Sequence, residues 1–188
     1  MDIGNPDALH DLTLAFRMAP VGLMLSRQRI IHRYNTAFSA MFGYDEQELA
    51  GQSLEQLYPS HEEFEHVGDR ASRIMREQGN YGDERIMRHK SGRPFWCHVS
   101  GRALNKEAPF AEAVWVFEDL SARWPVTTEL TPREREIAQL LVAGKSSKTM
   151  GRELGISPRT VEAHRARLMK KMNVTSVSHL VARLIGRT

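Results

Sequence analysis

Apolar residues along the first 124 positions change period several times. Leu9, Leu12 and Phe16 recur at helical spacing and predict an amphipathic helix over 6–18. Val21–Leu25 and Arg29–Arg33 read as two short strands, with Ser26-Arg27-Gln28 as their hairpin connection. Asn35 is placed to cap a helix that runs through Phe38 and Phe42 to Gly43. Short helical pieces follow at 45–50 and 53–58, then a longer helix over 61–77. Strands are predicted at 82–89, 94–104 and 112–118, with Lys90-Ser91-Gly92-Arg93 turning between the first two. Two strands, several helices and three more strands make an α+β domain with one antiparallel sheet.

Beyond residue 130 the period is helical throughout. Thr131 followed by Pro132 and Glu134 is a capping-box pattern, Ile137, Leu140 and Leu141 form a buried stripe, and Gly144 ends the helix. A second short helix follows Ser146 and stops at Gly155. A third starts with Ser157 as cap and Pro158 at its first position and runs to about Met172. A fourth, from Ser176 to about Ile185, carries Val177, Leu180, Val181 and Leu184. The second and third helices, joined through Leu154-Gly155-Ile156-Ser157-Pro158, have the layout of a helix-turn-helix inside an all-α four-helix domain. The predicted divisions are therefore an N-terminal amphipathic helix (1–18), a sensor-like α+β domain (19–122), a linker (123–129) and a helix-turn-helix domain (130–188). Pro125 breaks whatever precedes it, and Trp124 in so short a linker is expected to pack on one of the domains.

Charge supports the same seam. Residues 1–124 hold 14 Lys+Arg against 18 Asp+Glu, whereas residues 125–188 hold 12 against 5, so a net of +3 conceals an acidic front and a basic back. A basic module at one end of a chain is suited to a polyanion. With 41% hydrophobic and 26% charged residues the 188-residue chain is expected to be globular, and its apolar runs fall far short of a membrane span. No export signal is visible at Met1–Pro6, so a cytoplasmic location without membrane contact is expected. One cysteine, Cys97, cannot form an internal disulfide or a cysteine-rich metal site, His164 at the edge of the buried stripe reads as a packing or phosphate-facing residue, and His179 has no neighbouring ligand at i+3 or i+4, so no metal site is expected.

On the third helix of the basic module, Val161, Leu168 and Met172 share a narrow stripe. The opposite face carries Arg159, Ala163, Ala166 and Lys170, flanked by Glu162 and Arg167. Small residues let a helix sit deep in a major groove, and arginine forks suit guanine edges or phosphates. Thr160, Ser147 and Lys148 lie near helix starts, where hydroxyls and backbone N–H groups favour phosphate. A solvated charged face would account for a basic helix alone, but not for the capped tight turn together with the charge excess of the last 64 residues.

Three blocks in order, Leu130–Ile137, Gly144–Lys148 and Ser157–Arg165 with Lys171-Met172, resemble the LuxR/FixJ-type DNA-binding domain over about 128–188. The resemblance implies a dimer on double-stranded DNA whose third helix reads the major groove. It places Arg159, Glu162, Ala163 and Ala166 at the bases, and Lys148 and Thr160 at the backbone. Glu162 stands where many members have Lys, Thr149 where Glu is common and Gly151 where Ala is common. The last change is expected to cost about 1 kcal/mol in an exposed helix interior.

Residues 19–122 resemble the PAS sensor fold. The resemblance rests on Asn35-Thr36-Ala37-Phe38 with Phe42-Gly43-Tyr44, on Glu84…Lys90-Ser91-Gly92, and on Val116–Ser121. It implies a small cavity for a ligand or cofactor and dimerisation through the flanking helix. By strand parity Phe95, Cys97, Val99, Gly101 and Ala103 face the helices, and Trp96, His98, Ser100 and Arg102 face away. The expected pocket lining is Phe95, Cys97, Val99 and Gly101 with Trp115 and Phe117, the alternative being that Trp115 and Phe117 fill the space and leave the core packed solid. No cofactor is required by the sequence. Haem-binding PAS domains use a His on the long helix, where His61 and His66 lie, but histidines on a Glu-rich stretch are more often surface residues.

The reading reached is a DNA-binding transcriptional regulator, not an enzyme. In it the PAS domain senses a small molecule or mediates homodimerisation and so controls operator binding, with RNA polymerase as a further partner. The alternative is a PAS-based signalling adaptor whose basic tail docks without sequence preference.

Overall fold

The computed structural model describes residues 6–124, 126 and 130–186. The predicted connector residues Pro125, Thr127, Thr128 and Glu129, and both chain ends, lie outside them. In order the elements are helix α1 (Pro6–Met18), strands β1 (Gly22–Arg27) and β2 (Ile30–Tyr34), helix α2 (Thr36–Phe42), a one-turn 3-10 helix (Leu54–Leu57), helix α3 (His61–Gln78), and strands β3 (Asn80–Arg88), β4 (Pro94–Ala103) and β5 (Ala113–Asp119). Helices α4 (Pro132–Val142), α5 (Ser147–Glu153), α6 (Pro158–Lys171) and α7 (Val177–Leu184) complete the chain. The five strands form one antiparallel sheet in the order β2-β1-β5-β4-β3.

Two differences from the expected N-terminal elements have local causes. The β1–β2 connection is the pair Gln28-Arg29, both in the left-handed region at φ 51° and 61°. Arg27 and Ile30 close the ladder around it, so Ser26 and Arg27 belong to β1 rather than to the turn. Residues 45–50 form successive turns instead of a helix. There Asp45 N–H donates to Glu48 and the chain is held locally by side chains.

Asn35 joins this half together. Its Oδ1 accepts from Phe38 N–H at 3.0 Å as the α2 cap and from Leu23 N–H at 2.9 Å, while Nδ2 donates to Val21 O at 2.9 Å. At 2% exposure these groups have no water to fall back on. Asn35→Ala is expected to cost about 3 kcal/mol, combining a lost cap with stranded backbone groups; a urea midpoint unchanged from the parent would refute this.

Between sheet and helices, Phe38, Phe42, Phe95 and Phe117 pack in tilted and edge-to-face pairs at centroid distances of 4.8–5.7 Å, with Met24, Ile31 and Leu57 around them. Parity holds for Phe95, Cys97 and Val99, which join this core. Trp96 points to the other face, as parity requires, yet is 1% exposed. The reason is Trp124, whose ring stands at 86° to that of Trp96 with centroids 5.7 Å apart. Trp124 therefore packs on the sensor-like domain and covers a patch of the outer sheet.

The second core gathers Ile137, Leu140 and Leu141 of α4, Met150 and Leu154, Val161 and Leu168 of α6, Met172, and Leu180 and Leu184 of α7. Thr131 and Glu134 complete the predicted capping box: Thr131 Oγ1 accepts from Glu134 N–H, and Glu134 Oε2 accepts from Thr131 N–H at 2.9 Å. Gly151 is buried, not exposed. A Cβ there would lie 2.7 Å from Ile156 O, so the turn backbone packs directly on this glycine.

Candidate functional site

Helix α6 owes its exposure to how little of it the second core needs. Only Val161 and Leu168 are fully buried. Arg159, Thr160, Glu162, Ala163, Ala166, Arg167 and Lys170 are all exposed, as is Lys148 in the first turn of α5. The helix starts on Ser157, whose Oγ accepts from Thr160 N–H at 3.0 Å. In α5, with Glu absent from position 149, Ser146 Oγ accepts from Thr149 N–H at 3.2 Å and the two hydroxyls lie 3.0 Å apart.

One group on this face is already engaged. Ser147 Oγ is hydrogen-bonded to Glu162 Oε1, and Arg165 Nη1 donates to both at 2.6 Å. Ser147 is half-buried, so its hydroxyl is turned to Glu162 rather than left free for a phosphate. Arg165, absent from the sequence-derived set, fixes the Glu162 carboxylate and ties α5 to α6. His164 is half-buried, and burial with Arg167 and Arg133 nearby holds its imidazole below the usual range. Among the described residues no group of three His, Cys, Asp or Glu side chains is placed to hold a metal ion, and no helix is long and apolar enough to cross a membrane.

Inside the first domain lies a small, partly open cavity of 20 Å³ between α3 and the sheet. Trp115 lines it, and Trp115 Nε1 donates to Ser26 Oγ at 2.9 Å. Phe95, Cys97, Val99 and Phe117 pack elsewhere in the core, and Gly101 lies beneath the Trp115 ring, where a Cβ would meet Cε3 at 2.2 Å. Burial pushes the Cys97 thiol far up, which leaves it an unreactive space-filling group. The polar part of the wall is Ser26, Arg29, Tyr58 and Arg85. His61 pairs with Glu55 and His66 with Glu136, and neither lines the cavity.

Residues 20–122 match the family model described as "PAS domain", and residues 128–184 match "Bacterial regulatory proteins, luxR family". The chain belongs to the PAS family, with a LuxR-type domain behind it. The PAS domain of a LuxR-family transcriptional regulator from Burkholderia thailandensis, solved in complex with ethanol, is 50% identical and superposes with a TM-score of 0.57 over 58% of this chain and 96% of that one. The sensor protein TdiS of Thauera aromatica is 33% identical over 120 residues, 64% of this chain and 22% of TdiS. The transcriptional regulatory protein FixJ of Bradyrhizobium diazoefficiens is 43% identical over 79 residues, 42% of this chain and 37% of FixJ. The chain thus spans between a fifth and two fifths of the length of these two relatives.

The PAS and LuxR-type domains meet through α3, which faces α4 and the end of α5. Arg135 Nη2 and Nε donate to Glu63 Oε1 at 2.6 and 3.0 Å, with Glu63 2% exposed. His66 meets Glu136, which also accepts from Arg133 Nη1 at 2.9 Å. Arg70 reaches towards Glu153 at 3.9 Å and donates to Asp83 Oδ2 at 2.7 Å. Burial raises the Glu63 carboxyl above its usual range in spite of Arg135, so the pair confers register more than stability. This contact uses α4 and the end of α5, and leaves the exposed side of α6 clear.

Sequence reasoning missed Glu63, Arg70, Arg135 and Glu136 because their partners lie up to 72 residues away. It also missed Arg85, although a signal was present. Tyr81, Asp83, Arg85 and Met87 alternate on one face of β3, and two opposite charges between buried apolar residues mark an inward ion pair.

Proposed function

We propose that this chain is a DNA-binding transcriptional regulator, without an enzymatic step, acting in the cytoplasm. In this reading α6 enters the major groove, Arg159, Ala163 and Ala166 face base edges, and Arg167, Lys170, Lys148 and Thr160 hold the backbone. Glu162, held by Arg165 and Ser147, is suited to accept from a cytosine amino group. The observation that carries the reading is the placement of α6: the apolar stripe is spent in the domain core, the interdomain contact lies on α4 and α5, and the basic, alanine-lined face is open.

Exposed Leu9, Leu12, Leu14 and Met18 on α1, beside exposed Val114, support a homodimer in which a second copy covers this face. A two-fold pair of α6 helices requires half-sites about one DNA turn apart. The PAS cavity is the sensing element, and the ethanol complex of the Burkholderia domain supports a ligand of few atoms.

Selection from random duplexes followed by anisotropy titration against salt tests the reading. Affinity should fall steeply with salt, with a log–log slope of about −0.9 per phosphate contacted. Arg159→Ala should weaken the selected site by about tenfold or more and relax one base position, while Lys148→Ala should weaken all duplexes alike and lower the salt slope by about one. Both variants should melt like the parent. Equal affinity for every sequence would favour an adaptor with a docking tail.

A further inference from the structure

We infer that the PAS cavity takes a small organic carboxylate with a short apolar body, held by Arg85 and Tyr58 and closed in by Arg29. The inference rests on the sensor reading above and gives it a ligand class.

The cavity wall is rich in donors. Arg85 has its side chain 3% exposed. Its Nε donates to Asp83 Oδ1 at 2.7 Å and its Nη1 to Tyr58 Oη at 2.6 Å. Its Nη2 stands 2.5 Å from Asp83 Oδ1 in ion-pair contact, but is buried with no acceptor in hydrogen-bond geometry. Tyr58, having accepted from Arg85, has its own O–H unspent among the described residues, as does Ser26 after accepting from Trp115. Two unspent hydroxyls and the Arg85 guanidinium therefore border one cavity whose remaining wall, Leu54, Phe64, Val67, Ala71, Phe110 and Trp115, is apolar. Buried donors without acceptors are costly, and a carboxylate carries acceptors only. A guanidinium fork also suits it better than a neutral hydroxyl.

Access points to the same ligand class. At 20 Å³ the cavity has room for about one water, so a carboxylate enters only as the wall moves aside. Of the lining residues, only Arg29 and Phe110 are not fully buried. The Arg29 guanidinium lies 3.4 Å from the Phe64 ring centroid and donates to Phe64 O and to Glu65. It also lies against Gly68, 2.6 Å from where a Cβ would stand. An arginine can leave this seat by rotating its side chain, which opens the cavity against a bare glycine, and on closing it brings a second cation over the ligand.

The test uses the full-length chain and the indole N–H resonances of its three tryptophans, assigned by single Trp→Phe variants. Acetate, propionate and butyrate are titrated beside ethanol, 1-butanol, butyramide and butylamine. The expected result is a saturable shift of the Trp115 indole and a rise in melting temperature with a carboxylate, at least tenfold tighter than with the alcohol, amide or amine of equal chain length. Tyr58→Phe, which keeps the ring in the core, should weaken the carboxylate about tenfold and leave the alcohol little changed. Arg85→Gln, if its circular dichroism matches the parent, should abolish the preference for charge. Equal response to alcohol and carboxylate, or no movement of the Trp115 indole with any carboxylate, overturns the inference. DNA titration without any probe runs alongside: operator binding there with no carboxylate response refutes the ligand class alone, whereas loss of sequence preference refutes the regulator reading.

Discussion

Val161→Asp is expected to unfold the LuxR-type domain while leaving the PAS domain folded. Val161 is 0% exposed in the apolar core shared by α4, α5, α6 and α7. The substitution removes about 1.5–3 kcal/mol of apolar burial and places a carboxylate among apolar side chains, at a further cost of several kcal/mol. A domain of about 57 residues has only about 3–9 kcal/mol to lose. The location of the tryptophans makes the outcome easy to read, because Trp96, Trp115 and Trp124 all precede the second domain. Helical circular dichroism should drop and DNA binding vanish while the emission and exchange protection of the Trp115 indole persist. A variant that retains full helicity and a parental melt would show that the stripe on α6 is wrongly placed.

The second large effect concerns the contact between domains. Arg135→Ala leaves the buried Glu63 carboxyl without its cation, a situation that costs about 3–5 kcal/mol when the surroundings cannot rearrange. Here they can: separating the domains returns Glu63 to water. The expected result is undocking without unfolding, seen as a larger radius of gyration in X-ray scattering and faster proteolysis between residues 124 and 130, with both domains still melting cooperatively. The double variant Glu63→Leu with Arg135→Met removes the charges together and should stay docked. Scattering from Arg135→Ala identical to that of the parent would show that His66–Glu136 and Arg70–Glu153 suffice to hold the domains.

Much of this molecule was legible because its signals are local. The caps at Asn35, Thr131, Ser157 and Ser176 act within three residues, so a capping side chain marks a helix start directly. The exposed side of α6 followed from spacing alone. The hairpin at Gln28-Arg29 was not legible, since neither residue is one that usually marks a left-handed turn. Trp96 took the face that parity gave it, but its burial was not legible, because parity says nothing of what later covers that face. The cavity was predicted from small residues on β4, but its polar lining comes from the start of the domain, the 3-10 region and β3. Charges on a strand read as solvent-facing until their partners are known, and the partners of Arg85 include Tyr58 from a distant turn.

The clamp between α3 and α4 settles who controls geometry and who controls sequence. In the two-fold assembly proposed above, a closed clamp would let the bodies that carry the paired α6 helices dictate their separation, so the gap between half-sites would belong to the PAS domain and the identity of each half-site to the LuxR-type domain. A chimera given another regulator's reading head, with Arg135 and Glu136 retained, should acquire new letters and keep the old spacer.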